Sequence, residues 1–186
     1  MKLSLVVPCY NEEKNIPLFY EAVKKDLEIP ISVDTYKSSV AKAAIEAGFD
    51  EIGFSDHSPW NFKDYVSGMR MHENDFEPYV NSIKTLREKY KDKINIRLGL
   101  ECEYFPKYLP WLKEKIKKHG IDFIILGHHF CKDESGQIYN GDIKTPEQLY
   151  TYCDDIVNAM ESGLFMYVAH PEIFMRGYPV FDEHCR

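Results

Sequence analysis

Short apolar runs recur along the chain, and between them apolar residues fall at helical spacing. Six runs read as strands: Leu3–Val7, Ile31–Val33, Glu51–Phe54, Ile94–Leu100, Asp122–Leu126 and Leu164–Ala169. Runs this short and this apolar suit parallel strands covered on both faces. Five stripes read as helices: Ile16, Phe19, Val23 and Leu27; Val40, Ala44 and Ala47; Val80, Ile83, Leu86 and Tyr90; Leu109, Leu112 and Ile116; and Leu149, Ile156, Val157 and Met160. Gly48, Gly120 and Gly163 each follow such a stripe, as helix C-caps do. Thr145 ahead of Pro146 and Glu147 marks a helix start.

Strand and helix patterns in alternation predict an α/β fold on a parallel sheet, either doubly wound or closed as a barrel. No linker, internal repeat or low-complexity segment interrupts the 186 residues, which predicts a single domain. The longest irregular stretches, Ser55–Asp75 and Phe130–Lys144, directly follow strands and are candidate active-site loops. With 44% hydrophobic and 28% charged residues, the chain reads as soluble and globular. Its formal net charge of -7 argues against nucleic acid as a partner. An anionic substrate is still open to it, because a bound metal ion reverses the local field. No run reaches the ~18 apolar residues of a membrane span. Cys9, Cys102, Cys131, Cys153 and Cys185 show no C-x-x-C spacing, so reduced thiols in a cytoplasmic protein are the expectation.

Histidines and acids gather just past the expected strand ends: Asp56-His57, Glu101 with Glu103, His128-His129, and His170. One histidine after a strand is more often a hydrogen-bonded loop residue than a ligand. In a parallel barrel, however, all these ends converge on one face, and scattered residues become a cluster. Imidazole lone pairs with carboxylates then form a metal-binding donor set. His72, His119 and His184 lack this placement and read as surface or structural residues. Cys9 and Cys102 have no partner spacing that supports catalysis.

From about Ala44 onward the motifs AGFDEIGFSDHSPW, GLECEYFP, DFIILGHHF and AHPEIFMRGYPVFDEHCR closely resemble histidinol-phosphate phosphatases of the PHP (polymerase and histidinol phosphatase) superfamily. The resemblance implies a partial, distorted β/α barrel of about six β-α units. It further implies a cluster of up to three divalent metals and hydrolysis of a small phosphate monoester. By position, His57 matches the D-H histidine, Glu101 the bridging carboxylate of G-x-E, His129 the G-x-H ligand and His170 the H-P histidine. Glu101, His129 and His170 would hold one metal, with Glu101 bridging to a second and His57 serving a third. Zinc is the expected ion, with manganese or iron as alternatives. Arg70 and Arg176 fall in blocks suited to holding phosphate through a planar guanidinium, and an ordinary surface role is an equal alternative.

The front end departs from this pattern. The family's H-x-H motif on the first strand is absent, and its final D-x-H ligands fall past Arg186. Residues 1–25, with LVVPCYNEE, resemble the opening of a family 2 glycosyltransferase, and ISVDTYKSSVAKAAIEAG (31–48) resembles a β-α unit of dihydropteroate synthase. The chain thus reads as a mosaic, natural or engineered, with residues 1–48 as atypical strand-helix units in the first two barrel slots. The expected activity is a phosphatase weakened by lost ligands, with one occupied metal site. The alternatives are an inactive barrel fragment that still binds one metal, and nucleotide-sugar binding through Asn11 and Glu12. Asp34 reads as a capping or loop carboxylate, and open sheet edges predict self-association.

Overall fold

The computed structural model describes residues 5–8, 14–24, 31–34, 38–63, 68–131, 138–178 and 180–185. Five strands appear in it: β1 (Leu5–Pro8), β2 (Ile31–Asp34), β3 (Glu51–His57), β4 (Asn95–Cys102) and β5 (Phe123–Leu126). Five helices separate or follow them: α1 (Ile16–Lys24), α2 (Ser38–Ala47), α3 (Glu73–Tyr90), α4 (Leu109–His119) and α5 (Pro146–Glu161). The strands follow one another across the sheet in chain order, β1-β2-β3-β4-β5. β1 pairs with β2 in parallel from Leu5↔Ile31 to Pro8↔Asp34, and β2 with β3 from Ser32↔Glu51 to Asp34↔Gly53. The α/β class and the parallel sheet are therefore present. The order of the described strands is linear, so they do not themselves close a barrel. Cys9, Asn11 and Glu12 lie outside the described residues.

The sixth expected strand, Leu164–Ala169, is not a regular strand. It meets β5 through one parallel bridge, Leu126↔Val168. Met166 N donates to Ile124 O (2.8 Å), Leu126 N to Tyr167 O (2.9 Å) and Ala169 N to Leu126 O (2.9 Å). Between the two acceptors the β5 backbone advances two residues, while the donors advance three, so the ladder slips by one. An extra residue of this kind bends a strand and breaks its pairing.

Residue contacts gather into two units, one of residues 1–56 with 74–99 and one of residues 57–73 with 100–186. In the first, Ile52 and Phe54 of β3 and Ile96 and Leu98 of β4 are buried, as are Phe76, Val80 and Ile83 of α3. Those three α3 residues form an i, i+4, i+7 stripe, which carries the helix one turn and more ahead of the stripe seen in the sequence. The Tyr79 hydroxyl lies 2.9 Å from Phe54 O and 2.8 Å from Gly99 O, tying the ends of two strands to α3.

In the second unit, Ile143, Leu149, Tyr152, Ile173 and Tyr178 form one buried apolar cluster. The helix start expected at Thr145 is a full capping box: Gln148 N donates to Thr145 Oγ1 (3.4 Å), and Gln148 Oε1 accepts from Thr145 N (3.2 Å). α4 stops at Gly120, whose φ of 66° is the left-handed conformation a C-cap requires, and Gly48 and Gly163 share that positive φ.

Candidate metal centre

His57 is the last residue of β3, and Glu101 is the penultimate residue of β4. Both sit within strands rather than past them, where pleating fixes side-chain direction more tightly than a loop does. Ser58 N donates to Glu101 O at 2.8 Å, holding the two segments in register. His129 follows β5, and His170 follows the Val168 bridge. All four residues belong to the second contact unit.

Three imidazoles aim the same nitrogen at one carboxylate oxygen. From Glu101 Oε1, His170 Nε2 is 3.0 Å away, His129 Nε2 3.5 Å and His57 Nε2 3.7 Å. Ring centroids are 5.0 Å apart for His57 and His129, and 4.6 Å for His129 and His170. Ligand atoms of His57, Glu101 and His129 all lie within 4.8 Å of one another. Two atoms each about 2.0–2.1 Å from a tetrahedral zinc are about 3.3 Å apart. The separations therefore bracket what such an ion needs, and the nitrogen and carboxylate donors suit zinc, so the residues fit the group.

Among the described residues the mutual grouping joins His57 with Glu101 and His129, whereas the resemblance groups Glu101 and His129 with His170 and gives His57 to another ion. His170 is tied to the same oxygen by its own contact, and its Nδ1 is buried without a hydrogen-bond partner.

Gly127 makes the close approach feasible. A Cβ there would stand 2.5 Å from Glu101 Oε1 and 2.8 Å from His129 Cε1. Its N–H donates to Cys102 O at 2.9 Å, which seats the β5 end beside β4. His128 next to it has a φ of 45°, in the left-handed region that costs a non-glycine residue energy. Its ring is fully buried, stacks on Tyr152 with centroids 5.6 Å apart, and places Nε2 3.4 Å from Asp155 Oδ2. Asn140 clasps the turn: its Nδ2 donates to His128 O and its N to His129 O, both at 2.7 Å. The Tyr152 hydroxyl donates to Pro171 O at 3.0 Å, beside His170.

Electrostatics follow from this crowding. Burial works against the charged form of Glu101, but the His170 hydrogen bond and the His57 and His129 charges outweigh it, and its pKa lies below the ordinary value. Burial likewise opposes protonation of His170, yet the Glu101 hydrogen bond and charge prevail and raise its pKa. Glu103 is buried more deeply, and its hydrogen bond to His129, with the His129 and Arg70 charges, still holds its pKa low. Cys102 has its thiol pKa pushed up by burial and is inert as a nucleophile.

The structure brings together His57, Glu101, His129 and His170. Arg70 reaches the group through Glu103, with Nη2 3.3 Å from Glu103 Oε1. Arg176 is exposed and engages Tyr139, with Nη1 donating to its hydroxyl at 3.0 Å. Sequence reasoning counted Glu103 among the strand-end donors without giving it a role of its own, and passed over Gly127. For Glu103 the signal was its i, i+2 spacing from Glu101, which the strand pleat can place on one face. For Gly127 there was only a small residue ahead of a histidine pair.

A sequence model described as the PHP domain matches residues 33–182. A probable histidinol-phosphatase of Schizosaccharomyces pombe is 29% identical over 126 residues, covering 60% of this chain and 41% of that protein. The crystal structure of histidinol phosphate phosphatase from Lactococcus lactis, complexed with zinc, L-histidinol and phosphate, superposes with a TM-score of 0.58 at 25% identity. The superposition covers 76% of this chain and 54% of that one. A dihydropteroate synthase of Clostridium beijerinckii is 36% identical over 87 residues, but the match covers only 41% of this chain and 31% of that enzyme. The chain spans about half the length, or less, of the curated histidinol-phosphatases it matches, at 41% and 46%. With a match across residues 33–182 and a histidine–carboxylate cluster inside it, the chain belongs to the PHP domain family.

Proposed function

We propose that this chain is a metal-dependent phosphate monoester hydrolase of the histidinol-phosphatase type, with a divalent ion, zinc first, held by His57, Glu101, His129 and His170. The observation that carries the reading is the convergence of three Nε2 atoms on Glu101 Oε1 within 3.7 Å. Kinship with histidinol-phosphatases supports the substrate class, and the zinc, L-histidinol and phosphate of the Lactococcus lactis structure support ion and ligand. A bound divalent cation supplies Lewis acidity and positive charge opposite the phosphate oxygens.

The chain's own residues supply the rest. Glu101 contributes negative charge at the centre of the group, and its low pKa keeps that charge near neutral pH. The imidazoles offer lone pairs only when Nε2 is unprotonated, so each neutral ring must carry its proton on Nδ1. Arg176 is the exposed guanidinium offered to the phosphate, within reach of the Tyr139 hydroxyl it already engages. By the resemblance the family's H-x-H histidines would fall near Pro8, Cys9 and Tyr10, and none of these is a histidine. Fewer donors mean fewer ions, so turnover is weak and a single site carries it.

Metal content measured with phosphate release from L-histidinol phosphate and from a generic phosphomonoester tests the proposal. The expected result is about one equivalent of zinc per chain and slow, zinc-dependent release that is lost in His129→Ala. Absence of binding at micromolar zinc overturns it. Stoichiometric zinc without any phosphate release favours the alternative of an inactive metal-binding fragment.

A further inference from the structure

Behind His129 lies a second carboxylate that the hydrolase reading does not use. Glu103 is 2% exposed, and the side chain of Arg70 is 5% exposed. Glu103 Oε1 is 3.0 Å from His129 Nδ1 and 3.3 Å from Arg70 Nη2, while Oε2 accepts from Phe130 N at 3.3 Å. The Arg70 guanidinium carbon stands 5.8 Å from the centroid of the Phe130 ring. A buried carboxylate persists only where charge and hydrogen bonds replace water, and this one has a guanidinium and a backbone N–H.

An ionised carboxylate accepts hydrogen bonds and donates none. His129 Nδ1 at 3.0 Å must then carry a ring proton, so in the neutral ring it is Nε2 that holds the lone pair, 3.5 Å from Glu101 Oε1. We propose that Glu103, clamped by Arg70, is a positioning residue that holds His129 as the Nδ1–H tautomer with Nε2 aimed into the cluster. Arg70 thus acts through Glu103 and does not hold the phosphate. The clamp bears on one ring atom and on the backbone of the next residue, so it sets both the rotation of the imidazole and the path of the chain behind it. Its effect on metal affinity rests on the metal reading above, whereas its effect on the tautomer does not.

The test uses the metal-free 186-residue chain, wild type and the variants Glu103→Ala, Glu103→Gln and Arg70→Ala. Nitrogen-15 NMR of the histidine rings reports the His129 tautomer, with the resonances assigned by their loss in His129→Gln. Competition with a chromogenic chelator reports zinc affinity. At a pH where the wild-type ring is neutral, its proton is expected on Nδ1. Glu103→Ala is expected to mix the tautomers and weaken zinc binding about 10–100-fold, the usual effect of losing such a partner. Glu103→Gln is expected to keep the tautomer and most of the affinity, because its amide oxygen still accepts from Nδ1–H. Arg70→Ala is expected to fall between them.

A neutral wild-type ring with its proton on Nε2 overturns the proposal, as does Glu103→Ala with tautomer and zinc affinity both unchanged. Should Glu103→Ala fail to fold, the wild-type tautomer and the rescue by Glu103→Gln still decide. Failure of wild type to bind zinc sinks the metal reading instead, while the tautomer continues to judge the clamp.

Discussion

At the scale of single residues, the tightest constraint on the cluster is a missing side chain. Gly127→Ala adds a methyl group 2.5 Å from Glu101 Oε1 and 2.9 Å from Glu101 Cγ, closer than packed atoms approach. Glu101 cannot swing away cheaply, because three imidazoles meet its Oε1. The expected outcome is zinc affinity at least about 10-fold weaker, the scale of losing an orienting partner, with a smaller loss of melting temperature; chelator competition beside thermal unfolding checks this. The four ligand candidates were legible in the sequence because histidine and glutamate at strand ends are chemically conspicuous. Gly127 was not, nor were the parts that Glu103 and the strained His128 play. Their roles come from distances between segments far apart in the chain, and no local spacing encodes a Cβ that would collide or a carboxylate standing behind a ring. Arg70 was noticed for its charge, but only the fold shows that the charge faces Glu103.

At the scale of elements, the alternation of runs and stripes revealed the five strands and five helices of the described residues, because burial of apolar residues in strands and on helix faces imposes it directly. The sixth run failed for a reason invisible to hydrophobicity: Leu164–Ala169 is as apolar as a strand, but its register against β5 slips by one residue. His57 and Glu101 fell inside longer strands than expected, since an apolar run ends before its hydrogen-bonded ladder does. The start of α5 was legible in Thr145, Pro146 and Glu147, and the capping box found there gives a clean control. Thr145→Ala removes one side-chain acceptor at a helix N-terminus, costing about 1 kcal/mol. α5 bears Leu149 and Tyr152 of the apolar cluster, so the loss should appear in the urea midpoint. Zinc affinity should stay within about twofold, because no ligand lies on that turn; a larger fall would mean that α5 governs the site.

At the scale of the whole molecule, proton uptake and metal uptake compete. In the metal-free protein, the pKa of Glu101 lies below its ordinary 4.5, so its stabilising contribution is full above 4.5 and is lost as pH falls through the lowered value. The pKa of His170 lies above its ordinary 6.5, so its contribution is full below 6.5 and is lost as pH rises through the raised value. Metal-free stability from this pair should therefore peak between 4.5 and 6.5, which urea titrations across that range will show. Zinc must displace the His170 proton, so its affinity should climb with pH above 6.5 and level off once that proton is gone. An affinity that is flat over this range would remove His170 from the ligand set. Every donor of the cluster belongs to residues 57–73 and 100–186, and none to the first 56. The consequence concerns inheritance. Substitution or recombination can rewrite the opening strands without exchanging one of these donors, so ancestry read from the front of the chain and chemistry kept at its back are free to diverge.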